Sequence, residues 1–549
     1  MGRFGRGLTA ALLMSGLPAS AIDARAQETP TEILVTTTSD ASNGDVSSVS
    51  GLIADPGDDG ISLREAIEAT NNDPGTYSVG FAEVLVGATI TLGTDLPPLA
   101  GGGVTIEGDV DGDDDPDVTL RKDDLQFLRS CPGSQGGCGL HIASSGNRLR
   151  ALALEDFGVG VLIQPWMPPI TLPTDITLAD NAIGGVVMRG IEEAGVLAGS
   201  VYSSECGAPN PERCWSYTTW ENTSITGNMI EAGGTGIAFK IRNAGDIVEG
   251  ATVTGNTIRM QGHDVGIGLQ VIGDPLQARI SDVLIADNTI EGSVDIGIDV
   301  LSGGERAQGS TVEHIQILNN RVHLTGGANG TDGYCCRGIT VQAGSDVASL
   351  TTLVDPPRYL DDNLLRDVVV RGNSLSGTLD AGIGVLAGYG SGGRRNRISN
   401  LRIRLNTIQT SKPGIGVEIV TGDGDPYKDR YASDNRISDL TIENNTLMIG
   451  TGPGSRDAGG GFGAGGVVLV GGHKFGRDNL IRDMRIARNS VKTAYVGIRL
   501  IGGLGPTARG NRVVCVSLFG NDVDGARKAV SVRSNVGGAS GNVARLGRC

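Results

Sequence analysis

The sequence has few aromatic residues. They make up 4% of 549 residues, with Phe 8, Tyr 9 and Trp 3. A conventional enzyme core draws much of its buried area from large rings. Their scarcity suits a narrow solenoid filled by Val, Ile and Leu instead. Lys is scarce too, at seven residues, and the formal charge is −17. No basic stripe interrupts that acidity, which excludes a nucleic-acid partner. It also argues against polyanionic glycans, unless calcium or a local basic patch intervenes. After the amino terminus no apolar run reaches the eighteen or so residues of a membrane span.

What the chain has in quantity is glycine, 87 residues, and one phrase written repeatedly. An Asn, a run of alternating aliphatics and a second Asn ten positions on recur from Asn363, Asn396, Asn435, Asn479 and Asn511. Looser copies run upstream through Asn228, Asn256, Asn288 and Asn320. A Gly-aliphatic segment follows most copies, as in Gly382–Val385, Gly414–Ile419 and Gly497–Ile501. The intervals are mostly about 28 to 44 residues, which signals a solenoid. Alternation with a period of two predicts strands, and no copy carries the i, i+3, i+4 pattern of a helix. Gly and Asn between the strands are turn formers that tolerate left-handed backbone. One such unit cannot bury a face alone, whereas stacked coils can. An Asn at the same turn of each coil can bond its neighbour and form a ladder. The architecture predicted is all-β, a parallel β-helix of roughly a dozen coils spaced about 4.8 Å apart.

The repeat resembles the right-handed β-helix superfamily that includes pectate lyases, polygalacturonases and other polysaccharide-degrading enzymes, over roughly residues 138–535. The resemblance implies a right-handed solenoid. It leaves activity open, because the same scaffold carries adhesins and phage tailspikes. The NTD, DD, GHG and RIK motifs of polygalacturonases are absent, as is the RxPxxR of pectate lyases. Asp59–Asn72 reads DGISLREAIEATNN, in which Ser62 and Glu65 form a capping box and Leu63, Ala66, Ile67 and Thr70 share one helical face. This predicts a short amino-terminal helix capping the open end of the solenoid. The segment resembles the CSLREA-type module of secreted bacterial β-helices, with Ile61 standing where that motif has Cys.

Met1–Ala26 reads as a signal peptide: Arg3 and Arg6, the apolar Leu8–Leu17, then Ala24-Arg25-Ala26 or Ala19-Ser20-Ala21 as cleavage site. The chain then divides into residues 27–137, the cap and first coils, and 138–549, the β-helix with a disulfide-stapled loop at 201–222. The mature protein is expected to be secreted, periplasmic or extracellular. Eight cysteines agree with an oxidising compartment. Cys131 with Cys138 and Cys206 with Cys214 look like local staples, and Cys515 with Cys549 a terminal clasp. Adjacent Cys335 and Cys336 would form a strained bridge or, failing that, bind metal.

Candidate chemistry lies where outward positions turn polar. Taking aliphatics as buried, the Gly-aliphatic strands present Lys240, then Asp264 and Gln270, then Asp295 and Asp299. Thr340 and Gln342 follow, then Asp380, Lys412 and Glu418. Asp264 and Asp295 fall in one column on consecutive coils, so their backbones are expected about 5 Å apart. Two carboxylates that close raise one pKa or share a cation, and glycoside hydrolysis needs comparable spacing. Asp264, Asp295, Asp299 and Lys240 are the catalytic candidates. Asp264 and Asp295 are also the metal candidates, with calcium as the ion. Glycines 266, 268 and 297 are expected to leave this face open. The competing assignment makes Asp264, Asp295 and Asp380 turn residues; His263 is equally ambiguous. Trp215, Tyr217 and Trp220, in the stapled loop, are expected to stack sugars, with Gln270 and Gln342 as further substrate contacts. Asp109–Asp115 is an acidic turn or a second calcium loop. The reading leans to an exported enzyme cleaving a polysaccharide, hydrolase or lyase, with a polysaccharide or cell-surface glycan as partner. It is expected as a monomer or simple homo-oligomer. The alternative is a non-catalytic surface or adhesion protein.

Overall fold

The computed structural model describes residues 30–122, 136–165, 176–199, 218–262, 264–273, 277–304, 307–326, 336–345, 360–389, 393–423, 431–451 and 463–547. Among these, three long parallel sheets contain 18, 13 and 12 strands. One coil shows the plan. Arg397–Arg404 lies in the first sheet, Thr407–Thr410 in the second and Ile415–Thr421 in the third, and Arg436 opens the next coil. Leu365, Ile398 and Ile437 stand in one column, Val370, Ile403 and Ile442 in another, and Leu375, Ile408 and Leu447 in a third. All are buried. Each contributes about 1.5–3 kcal/mol by leaving water. The fold is the parallel β-helix that the repeat predicts.

The first-sheet strand bends midway at a left-handed residue. Asp282, His314, Asp367, Asn400, Asp439, Asp483 and Cys515 share one column and have φ between 52° and 58°. Asp and Asn tolerate this left-handed state better than most side chains. The bend lets Ile398 and Leu401, three residues apart, both face the interior.

The paired Asn residues of each phrase form two ladders. In one, Asn363, Asn396, Asn435, Asn479, Asn511 and Asn542 each accept at Oδ1 from the preceding Asn or, for Asn363, from Ser310. In the other, the chain of acceptors runs from Asn256 to Asn521. Between successive Asn residues each Oδ1 takes both the backbone N–H and the Nδ2 of its neighbour, and the Nδ2 also reaches a main-chain carbonyl, as at Asn406.

A glycine column explains why the third-sheet strands, except the last at Lys528–Val536, carry Gly-aliphatic near their start. At Gly382 an added Cβ would lie 2.3 Å from Ile408 Cγ2 and 2.8 Å from the Gly416 carbonyl. Gly236, Gly266, Gly297, Gly416 and Gly466 meet the same pair of obstacles, a second-sheet aliphatic and the next coil's carbonyl. Overpacking of this kind costs about 1–3 kcal/mol. Gly382→Ala is therefore expected to lower the urea midpoint of unfolding, while Gly80→Ala, where an added Cβ meets only a Glu32 carboxylate oxygen at 3.8 Å, changes it far less.

At the amino-terminal end the helix Leu63–Asn72 begins at the capping box of Ser62 and Glu65. Leu63, Ala66 and Ile67 join the same buried core as Ile33, Ile90 and Leu92. Glu65 is itself buried, and its carboxylate accepts from the backbone N–H of Ser62, Asn43 and Gly44. A second short helix spans Val49–Ala54. Among the described residues no helix is long and apolar enough to cross a membrane.

Candidate functional site

The third-sheet strands Val265–Val271, Ile296–Ser302, Arg337–Ala343, Ala381–Ala387 and Ile415–Thr421 are buried on both faces. The expected open face is thus corrected. Glycines 266 and 297 relieve crowding against neighbouring coils and second-sheet side chains, and Gly268 makes room for the Gln270 side chain. On the outer side of this sheet the buried residues include a polar group: Gln270, Asp299, Thr340, Gln342, Arg337 and Glu418.

Asp299 is its centre. The residue is 2% exposed. Gln270, from the preceding coil, donates from Nε2 to Asp299 Oδ2 at 2.7 Å, and Gln342, from the following coil, donates to Oδ1 at 2.7 Å. Burial pushes the carboxyl up from 3.8 to about 6; the two glutamine hydrogen bonds and the Arg337 charge oppose the shift, and the Asp264 charge adds to it. Gln270 and Gln342 therefore hold the carboxyl from both sides.

Beside Asp299 lies a second charged pair. Arg337 is 3% exposed and Glu418 0%. The guanidinium donates to Glu418 Oε2 from Nε at 3.2 Å and Nη2 at 3.1 Å. The stem of Arg337 crosses Gly384, where a Cβ would stand 3.2 Å from its Cδ. Burial raises the Glu418 pKa against the opposing pull of Arg337. Burial also acts against the Arg337 charge, but Glu418 and Tyr389 outweigh it and raise the arginine's pKa. Three buried atoms here have no hydrogen-bond partner: Thr340 Oγ1, Gln342 Oε1 and Glu418 Oε1. Orphaned buried groups cost free energy, and in native proteins an ordered water, an ion, strain or a catalytic role accounts for them.

The remaining sequence candidates divide by position. The backbone N–H of Asp295 donates to the Asp264 carbonyl at 3.2 Å, so the two stand on adjacent coils. Asp264 is exposed and accepts from Thr235 Oγ1 at 2.5 Å, while Asp295 is half-buried. Calcium takes six to eight oxygen ligands, of which this pair supplies a minority. Lys240 is half-buried and in register with Gln270. Trp220 is corrected outright: it is 0% exposed inside the solenoid, stacked in register between Leu178 and Val248, and its indole N–H donates to the Ile163 carbonyl at 2.9 Å. It offers no face to a sugar. Trp215, Tyr217 and His263 lie outside the described residues.

Arg337 and Tyr389 were not among the sequence candidates. A strict period of two counted back from buried Ile339 turns residue 337 inward, whereas its side chain lies on the outer side with Glu418 and Gly384. Also missed is the buried pair of His473 and Asp423, with Nδ1 3.1 Å from Oδ2. The Asp109–Asp115 segment is a turn whose carboxylates serve its own backbone: Asp109 accepts from the N–H of Gly112, Asp113 and Asp114, and Asp117 from Val110 and Asp111. Cys138, Cys336 and Cys515 are each disulfide-bonded. Cys131, Cys206, Cys214, Cys335 and Cys549 lie outside the described residues, so the pairings remain expectations.

No family model matches the chain, and no curated protein matches it. Solved structures do. The A-module of the Azotobacter vinelandii mannuronan C-5 epimerase AlgE6 is 12% identical with a TM-score of 0.38, covering 88% of this chain and 96% of the module. The tailspike protein of E. coli bacteriophage HK620, as a double mutant in complex with a pentasaccharide, is 10% identical with a TM-score of 0.42, covering 87% and 74%. The catalytic unit of a GH87 α-1,3-glucanase from Streptomyces thermodiastaticus is 13% identical with a TM-score of 0.32, covering 87% and 65%. Identities and TM-scores this low assign no activity, and any function rests on the residues themselves.

Proposed function

We propose that this chain is an exported carbohydrate-active enzyme that hydrolyses a polysaccharide at the outer side of the third sheet. The observation that carries the reading is Asp299, a buried carboxyl pushed up to about 6 and gripped by glutamines from two flanking coils. A carboxylic acid that keeps its proton in mildly acidic solution is what protonation of a glycosidic oxygen requires. Asp264 is exposed on the neighbouring coil and close enough for its charge to act on Asp299. Two carboxyl groups in such different surroundings suit an acid and a base or nucleophile. Asp299 is the acid, Asp264 the accessible carboxylate, Asp295 its supporting neighbour, and Lys240 a contact for substrate hydroxyls or charge.

Incubation with a panel of neutral and uronic polysaccharides tests this. Hydrolysis releases reducing ends without unsaturated ends; unsaturated ends lost on chelation point to a calcium lyase. The burial of Asp299 favours a second reading, a non-catalytic secreted surface or adhesion protein in which the polar group only braces the sheet. Absence of product from every panel member, by protein shown to be folded, decides for that reading.

A further inference from the structure

The outer face of the first sheet carries a charge that the whole-chain balance of −17 conceals. Leu364–Arg371, Arg397–Arg404, Arg436–Glu443, Leu480–Ala487 and Arg512–Phe519 stack there in parallel. Arg371, Arg397, Arg402, Arg404, Arg436 and Arg512 project from the positions that alternate with the buried aliphatics. All are exposed or half-buried, and among the described residues none has an acidic partner within ion-pair distance. Several acids of this region are taken by other arginines, as Glu313 is by Arg366 and Glu443 by Arg488, while Asp439 lies exposed on the Arg436–Glu443 strand.

The unpaired arginines also crowd one another. Arg371 stands directly opposite Arg404, and Arg397 directly opposite Arg436. Like charges facing each other on neighbouring strands oppose sheet formation, and the acids nearby, Glu443 in register with Arg404 and Asp362 near Arg397, are already ion-paired with Arg488 and Arg395. An anionic ligand would. The guanidinium fork matches a carboxylate with two parallel hydrogen bonds. In two columns, Arg371–Arg404 and Arg397–Arg436, forks stand on consecutive coils, at the coil rise of about 4.8 Å, on the scale of one sugar residue. Nucleic acid fits poorly. Single strands are held by stacking on rings, and the only aromatic side chain on these five strands is Phe519, on the last of them.

We propose that this face binds a carboxylate-bearing polysaccharide laid along the solenoid axis. The surface is separate from the third-sheet site and independent of whether that site is catalytic. The sequence hides it because these arginines mostly lie a full coil apart in the chain and converge only on stacking.

The test uses the full chain with fluorescent polygalacturonate oligomers, and with dextran and duplex DNA as comparison probes. Wild type is compared with Arg371→Gln/Arg402→Gln/Arg404→Gln and with Arg121→Gln, exposed on the second sheet, as control. Polygalacturonate is expected to bind at low salt and weaken as salt rises, with the triple variant roughly tenfold or more weaker and the control unchanged. Dextran is expected not to bind. Thermal unfolding of the triple variant at or above the wild-type temperature shows that the fold is intact. Failure of polygalacturonate to bind at low salt, equal binding by the triple variant, or tighter binding of DNA than of polygalacturonate each overturns the proposal. Product release is scored separately, so loss of this face and loss of the third-sheet activity are distinguishable.

Discussion

Asp299→Asn is expected to abolish polysaccharide cleavage and yet to make the protein more stable at neutral pH. Activity should fall by about 10²–10⁴, the usual contribution of a general acid. The stability change follows from linkage. The Asp299 carboxyl has its pKa raised in the folded state, from 3.8 to about 6, so the folded protein holds this proton more tightly than the unfolded chain does. Between those values the folded state binds more protons, and stability falls as pH rises. The cost is absent below the unfolded value, grows across the window, and reaches its full size above about 6, amounting to ~3 kcal/mol at most for two pKa units. Asn carries no charge to desolvate. Its amide can accept from one glutamine and donate to Gln342 Oε1, which has no partner in the wild type. Chemical unfolding of both proteins across the mildly acidic range checks this: the curves should meet near the lower value and diverge towards neutrality.

Asn406→Ala is expected to cost about 3–5 kcal/mol, more than any single surface change. Asn406 Oδ1 accepts from the backbone N–H and Nδ2 of Asn373, both at 3.0 Å, and its Nδ2 donates to the Val370 carbonyl and Asn445 Oδ1, both at 3.0 Å. Alanine removes all four bonds at a position water does not reach. Each buried group left without a partner costs about 1–3 kcal/mol. Asn521→Ala, at the half-buried end of the same ladder, should cost less than half as much because water replaces the lost partners. Hydrogen exchange gives the local readout. Stacked repeats are coupled mainly to their neighbours, so protection should fall around Asn373 and Asn445 and persist in the coils near Asn228.

The ladders were legible because Asn at both ends of a ten-residue phrase is a local signal repeated down the chain. Ser62 and Glu65 marked the helix start by the same kind of local chemistry. The register placed Gln270, Asp299 and Gln342 on one side of one sheet, and there the structure agrees. What the sequence could not show was burial, since alternation separates the interior from the outer side but carries no information about what covers the outer side. Gln270 and Gln342 were thus legible as outward polar groups but not as the clamp on Asp299. Trp220 was misplaced for a different reason. The stapled loop was extended to residue 222, whereas a strand begins at Thr218, and the alternation of Thr218 with Trp220 sends the ring inward against Val248. The arginine face was invisible because contiguity in a solenoid runs across coils, not along the chain.

The central claim is that Asp299 keeps its proton where an ordinary aspartate has lost it. Infrared difference spectra of wild type against Asp299→Asn, taken as pH is raised, isolate the C=O stretch of this one carboxylic acid. The account predicts a protonated-acid band that disappears with a midpoint at about 6. A midpoint near the ordinary 3.8 would contradict it and leave the polar group of the third sheet as bracing alone.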